Sequence, residues 1–131
     1  MKYNKTIQGF TLLEVLVALA VASIGLAGVI KVAGGNAYNA QQLQNKTLAQ
    51  WVALNQITEL RVTKQFPAVG QAKGDAEMAG RKWYWQQTTK VAPFSLPSIQ
   101  KTLRQIEIDV YLDEDRKAGS LTTVTTFLAQ P

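Results

Sequence analysis

Residues 10–30 read FTLLEVLVALAVASIGLAGVI, an apolar run of 21 residues interrupted by Thr11, Glu14 and Ser23. A helix rises about 1.5 Å per residue, so the run spans roughly 30 Å, one hydrocarbon thickness. It predicts a membrane-spanning helix. Ahead of it lies a polar leader, MKYNKTIQG, carrying Lys2 and Lys5, and Lys31 closes the far side. Positive charge before the span favours a cytoplasmic N-terminus. The expected placement is a single pass through an inner membrane, with the remaining chain in the periplasm.

Glu14 does not fit a plain anchor. An acid deep in a spanning helix costs about 2.5–3.5 kcal/mol on insertion scales. A charge kept at such a position marks a functional site. The competing reading is a secretory signal peptide, with Ala20-Val21-Ala22 as its cleavage motif. It predicts a released periplasmic binding protein starting at Ser23. Glu14 inside the apolar region and the eight apolar-run residues beyond Ala22 count against it. Ala18, Ala20, Ala22, Ser23, Gly25, Ala27 and Gly28 give the helix small surfaces for close helix contacts. The same residues are also common in any spanning helix.

Composition removes most chemistry. Among 131 residues there is no Cys and no His. Disulfide frameworks, thiolate metal sites, Cys or His catalysis and His-ligated zinc are therefore excluded. The net charge of +5 comes from scattered residues with acids among them, so no basic run points to nucleic acid. Asp113-Glu114-Asp115 fails as a calcium loop, since Lys117 stands where an oxygen ligand belongs and no closing Glu follows. Neither a metal site nor a cofactor site is expected.

Beyond Gly34-Gly35, where a bend is expected, residues 36–64 predict an amphipathic helix. Leu43, Leu54 and Ile57 share one side, extended by Ala40, Leu48, Trp51, Val52 and Val62. Leu60 falls outside that stripe. Core packing is the expected role for most of these residues, Trp51 included. Phe66-Pro67 ends the helix, and residues 68–74 read as a loop of small residues. Asp75–Met78, Ala79-Gly80 and Arg81–Val91 predict a hairpin. Trp83, Trp85, Thr89 and Val91 share its inner face, which favours core packing over a stacking platform for a sugar or base. Residues 92–98, with Pro93 and Pro97, read as loop. Leu103–Leu112 alternates, with Ile106, Ile108, Val110 and Leu112 inward. After a polar turn at 113–119, Ser120–Leu128 predicts a last strand. The fold class is α+β: one long N-terminal helix, membrane-spanning in its first half, on an antiparallel sheet of three to four strands spanning about 75–128.

Gly9-Phe10-Thr11-Leu12-Leu13-Glu14, after a short basic leader and before an apolar helix, resembles the leader of type IV pilins and type II secretion pseudopilins. The resemblance implies the pilin-like fold, cleavage after Gly9 by a prepilin peptidase and N-methylation of the new terminal Phe10. It also implies that Glu14 pairs with a terminal amine during filament assembly. The physics is consistent with this. Residues 10 and 14 lie one helical turn apart. At ~4 Å and an effective dielectric near 20, their attraction is about 4 kcal/mol before desolvation.

A narrower resemblance covers more of the chain. Residues 45–56, NKTLAQWVALNQ, then Glu59-Leu60-Arg61 and the segment Ala79–Trp85 are similar to the type II secretion minor pseudopilin I family. Membership implies a non-enzymatic subunit that joins minor pseudopilins J, K and H at the tip of a periplasmic pseudopilus. There it starts assembly of the major pseudopilin and, with an inner-membrane platform, supports export of folded proteins. Leu43, Thr47, Trp51 and Leu54 form the candidate partner-facing segment, since helix packing is the natural filament contact. A minor pilin of a type IV or competence pilus would share the leader and Glu14.

Overall fold

Ala79 and Gly80 both adopt positive φ, 54° and 70°, which is the geometry of a two-residue type I′ turn. That turn matches the right-handed twist of the strands it joins and carries the pairing far back along both. The computed structural model describes residues 9–94 and 101–131 of the chain. Within them β1 (Gly70–Met78) and β2 (Arg81–Val91) form the hairpin. β3 (Leu103–Tyr111) and β4 (Thr122–Ala129) complete an antiparallel sheet of order β1-β2-β3-β4. Residues 1–8 of the basic leader, with Lys2 and Lys5, and residues 95–98 of the expected Pro-containing loop lie outside the described residues.

The sheet starts earlier than the composition of residues 68–74 suggests. Gly70 to Gly74 belong to β1, paired with Thr89 to Trp85 of β2. Of these residues, Gly74 is small because of packing. A Cβ on Gly74 would collide with Cζ2 of Trp85, so the indole lies against a bare glycine backbone. β4 begins at Thr122, two residues later than Ser120.

α1 is a single helix, Leu12–Val62, running through Gly34 and Gly35 without interruption. The pair at which a bend or weak point is expected lies within continuous helix. Glycine costs about 1 kcal/mol in a helix interior but, unlike proline, it removes no hydrogen bond from the ladder. The chain divides into two units, residues 1–41 and residues 42–131. In the first, α1 is exposed throughout, and it contains a stretch long and apolar enough to cross a membrane.

In the second unit the helix turns Ala49, Val52, Ala53, Ile57 and Leu60 into a core with Trp83, Ile106, Ile108, Val110 and Leu128. This corrects the expected core stripe. Leu43 is 67% exposed and Trp51 55% exposed, and Leu54 and Val62 are exposed as well. Leu60, the outlier of the sequence wheel, is buried. Val52 and Ile57, which belong to the expected stripe, are buried, and Ala49 and Ala53 join them in the cluster that holds Trp83. Val91 is exposed instead of facing inward, because it lies at the end of β2. Ile106, Ile108 and Val110 are fully buried in the expected alternation.

Polar contacts fasten the packed part of the helix to the sheet near Asn45 and near its C-terminal end. Arg81 donates to the buried Asn45 Oδ1 at 2.9 Å and stacks over Trp83 at 5.2 Å. Arg61 donates to Thr126 Oγ1 at 2.7 Å. In the β3–β4 connection, Arg116 crosses back to the Gly74 and Trp85 carbonyls at 3.4 and 3.3 Å.

The helix closes with Lys64 at φ 51°, where Gln65 N–H bonds Leu60 O at 2.9 Å and Lys64 N–H bonds Arg61 O at 3.2 Å. This pair of bonds is a Schellman cap, whose left-handed position favours glycine. Lys64→Gly is expected to stabilise the domain by up to about 1 kcal/mol. That would raise the melting midpoint by about 5 °C in a thermal scan followed by circular dichroism.

Candidate assembly site

The helix start is built by four residues. Thr11 is the N-cap of α1 and Glu14 its third helical residue. Glu14 N–H donates to Thr11 Oγ1 at 3.2 Å, and Thr11 N–H donates to Glu14 Oε2 at 3.4 Å. This reciprocal pair is a capping box. It satisfies two of the orphan donors of the helix and places a carboxylate at the positive end of the helix dipole. The carboxylate is therefore held at the first turn instead of extending freely. Thr11 is thus the capping residue that holds Glu14, a role that hydropathy does not reveal. Its signal was legible, since Thr-x-x-Glu before an apolar run is the sequence mark of this cap.

Gly9 and Phe10 precede the helix in irregular, exposed backbone. Nothing stands within 4 Å of where a Cβ on Gly9 would be, and Phe10 is 85% exposed. The bond between them lies just outside the helix.

On the second half of α1 the geometry separates two apolar faces. One, through Asn45, Ala49, Val52, Ala53, Ile57 and Leu60, is buried. The other, through Leu43, Thr47, Trp51 and Leu54, lies on the opposite side of the same turns. Of these, Leu43, Trp51 and Leu54 are exposed large hydrophobics. The hydroxyls of Thr47 and Thr58 along this face donate within the helix, to Leu43 O at 2.9 Å and Leu54 O at 2.8 Å. The face therefore demands no polar partner. Trp83 is fully buried and cannot serve as a stacking platform. Asp113, Glu114 and Asp115 form a turn closed by Arg116 N–H on Asp113 O at 3.1 Å, and Asp115 pairs with Lys117 at 3.3 Å. No group of three or more ligating side chains occurs among the described residues.

Residues 43–129 match the sequence pattern of type II secretion system protein I, and residues 4–30 match the prokaryotic N-terminal methylation motif. The chain belongs to the type II secretion system protein I family. Protein I of Pseudomonas aeruginosa is 44% identical over 82 residues, covering 63% of this chain and 64% of that protein. Protein I of Escherichia coli is 36% identical over 108 residues, covering 82% and 83%. A chain of the crystal structure of the GspK-GspI-GspJ complex from enterotoxigenic Escherichia coli superposes with a TM-score of 0.53 and 26% identity, covering 68% of this chain and 98% of that one. The fold is thus that of a type II secretion pseudopilin, a structural subunit family. The match through residue 129 reaches far past the leader shared with type IV pilins.

Proposed function

We propose that this protein is a minor pseudopilin that assembles with pseudopilins J, K and H at the tip of the periplasmic pseudopilus. It starts polymerisation of the major pseudopilin and supports the export of folded proteins by the inner-membrane platform. A prepilin peptidase cuts after Gly9 and methylates Phe10. The span from Phe10 to Ile30 anchors the subunit with its N-terminus cytoplasmic and its sheet domain in the periplasm. Glu14 then meets a terminal amine, its own or a neighbour's, and sets axial register.

The observation that carries this reading is the second apolar face of α1. Leu43, Thr47, Trp51 and Leu54 are exposed on a helix whose opposite face is already committed to the core. Large apolar side chains aligned over several turns mark a helix-in-groove or helix-on-helix contact. In the related complex from enterotoxigenic Escherichia coli the partners are GspJ and GspK, which supports assigning the same class of partner here.

Co-purification of the full chain from detergent-extracted membranes tests the reading. Minor pseudopilins J and K are expected in the eluate, and Leu54→Asp is expected to reduce their recovery at least tenfold. That corresponds to a loss of about 1.4 kcal/mol or more at the contact. Recovery of type IV pilus subunits in their place would overturn the assigned machine. A mature mass starting at methylated Phe10 is expected, and one starting at Ser23 would overturn the processing.

A further inference from the structure

The two edges of the sheet are not alike. β1 carries Lys73, Asp75 and Glu77 along its exposed edge, the usual protection against strand addition. β4 carries none. Residues 118–131, AGSLTTVTTFLAQP, contain no ionisable side chain, and Thr122–Ala129 holds neither glycine nor proline. Gln130 N–H bonds Thr102 O at 2.7 Å in the register that pairs Leu103 with Ala129. In an antiparallel ladder the backbone groups alternate sides. The N–H and C=O groups of Thr123, Thr125 and Phe127 therefore point away from β3, along the open edge.

A cavity of about 280 Å³ lies beside this edge, between the end of α1 and β4. Arg61, Lys64, Phe127, Leu128 and Pro131 are among its walls, and none of the side chains that line it is acidic. The ion pairs among the described residues are Lys82–Asp75, Lys90–Glu107 and Lys117–Asp115, so neither Arg61 nor Lys64 takes part in one.

We infer that β4 receives an extended segment of another protein as a fifth strand, and that an Asp or Glu of that segment seats between Arg61 and Lys64. The open backbone selects an extended chain, and the two cations select its charge. A second copy of this chain fits less well, since its own β4 would bring no carboxylate to Arg61 and Lys64. This surface is separate from the helix face proposed above and does not depend on it.

Photo-crosslinking in secreting cells tests the inference, with p-benzoylphenylalanine replacing Phe127 in the full-length chain. A single crosslinked segment bearing an Asp or Glu is expected, located by mass spectrometry. Thr125→Pro, which removes an outward N–H, and Lys64→Glu are each expected to cut the yield at least tenfold. Changing the partner's acid to Lys is expected to restore the yield with Lys64→Glu. Lys64 is exposed, so that variant keeps the fold even if Thr125→Pro does not, and melting of the purified full chain in detergent checks both. An unchanged yield with Lys64→Glu, a crosslink to a second copy, a segment without an acid, or no crosslink would each overturn the inference.

Discussion

Replacing Glu14 with Ala is expected to leave leader cleavage intact and to reduce secretion of the exported proteins at least tenfold. The bond between Gly9 and Phe10 lies outside the helix and does not involve the Glu14 side chain. Insertion becomes easier in the variant, because a charge costing about 2.5–3.5 kcal/mol is gone. What disappears is the partner for a terminal ammonium, an attraction of about 4 kcal/mol at ~4 Å and an effective dielectric near 20, before desolvation. Even a third of that, about 1.4 kcal/mol, is a factor of ten in an association constant.

Glu14 also completes the capping box with Thr11, so the alanine variant loses a cap worth about 0.5–2 kcal/mol. Glu14→Gln separates the two roles, since glutamine can still reach back to the Thr11 N–H but brings no charge. A secretion defect in Glu14→Gln equal to that of Glu14→Ala assigns the effect to charge. Secretion at the normal level with Glu14→Ala, measured by immunoblot of the medium, would end the pairing argument. The mass of the purified subunit reports cleavage in the same cells.

The largest stability effect is expected from Trp83→Ala, about 3–5 kcal/mol of destabilisation. Trp83 is fully buried beneath the helix and is the largest side chain of the core. Its indole N–H donates to Met78 O at 3.0 Å, across the hairpin turn, and Arg81 stacks on its face. Truncation leaves a cavity that Ala49 and Ala53 are too small to fill. It also leaves the Met78 carbonyl without that donor, and frees the guanidinium that holds Asn45. A domain of this size is stable by about 5–10 kcal/mol, so the variant stands near the edge of folding. Denaturant titration of the full chain in detergent is expected to show the midpoint falling by about half. Trp51→Ala, by contrast, is expected to change stability by less than about 1 kcal/mol, because its ring is exposed. A Trp51→Ala loss as large as that of Trp83→Ala would contradict the division of the helix into a core face and a free face.

pH acts on the sheet through the Asp75–Lys82 pair, at 3.4 Å. The Asp75 carboxylate raises the Lys82 ammonium above its usual range. Its contribution is thus present below the unfolded lysine value and is lost as pH rises through the folded one. Both groups are exposed, so the effect is small.

The sequence alone determined the elements whose signals are local. The apolar span, the Ala79-Gly80 turn and the Ile106-Ile108-Val110 alternation depend on near neighbours along the chain. Each is legible from spacing alone. The leader resemblance added the processing expectations and the family. Tertiary structure decided which side of α1 is the core. The helix carries apolar residues on both faces, so a wheel weighted by hydrophobicity chose Leu43, Trp51 and Leu54. Val52 and Ile57 of the expected stripe are core, and the sheet adds Ala49, Ala53 and Leu60, because that is the side that meets Trp83, Ile106, Ile108, Val110 and Leu128. Pairing with β2 likewise decides that residues 70–74 are strand: the bare backbone of Gly74 makes room for the indole of Trp85, a partner known only once the hairpin has closed. Periodicity reports that a face is apolar, while what that face meets is set by the shape of residues far away in the chain.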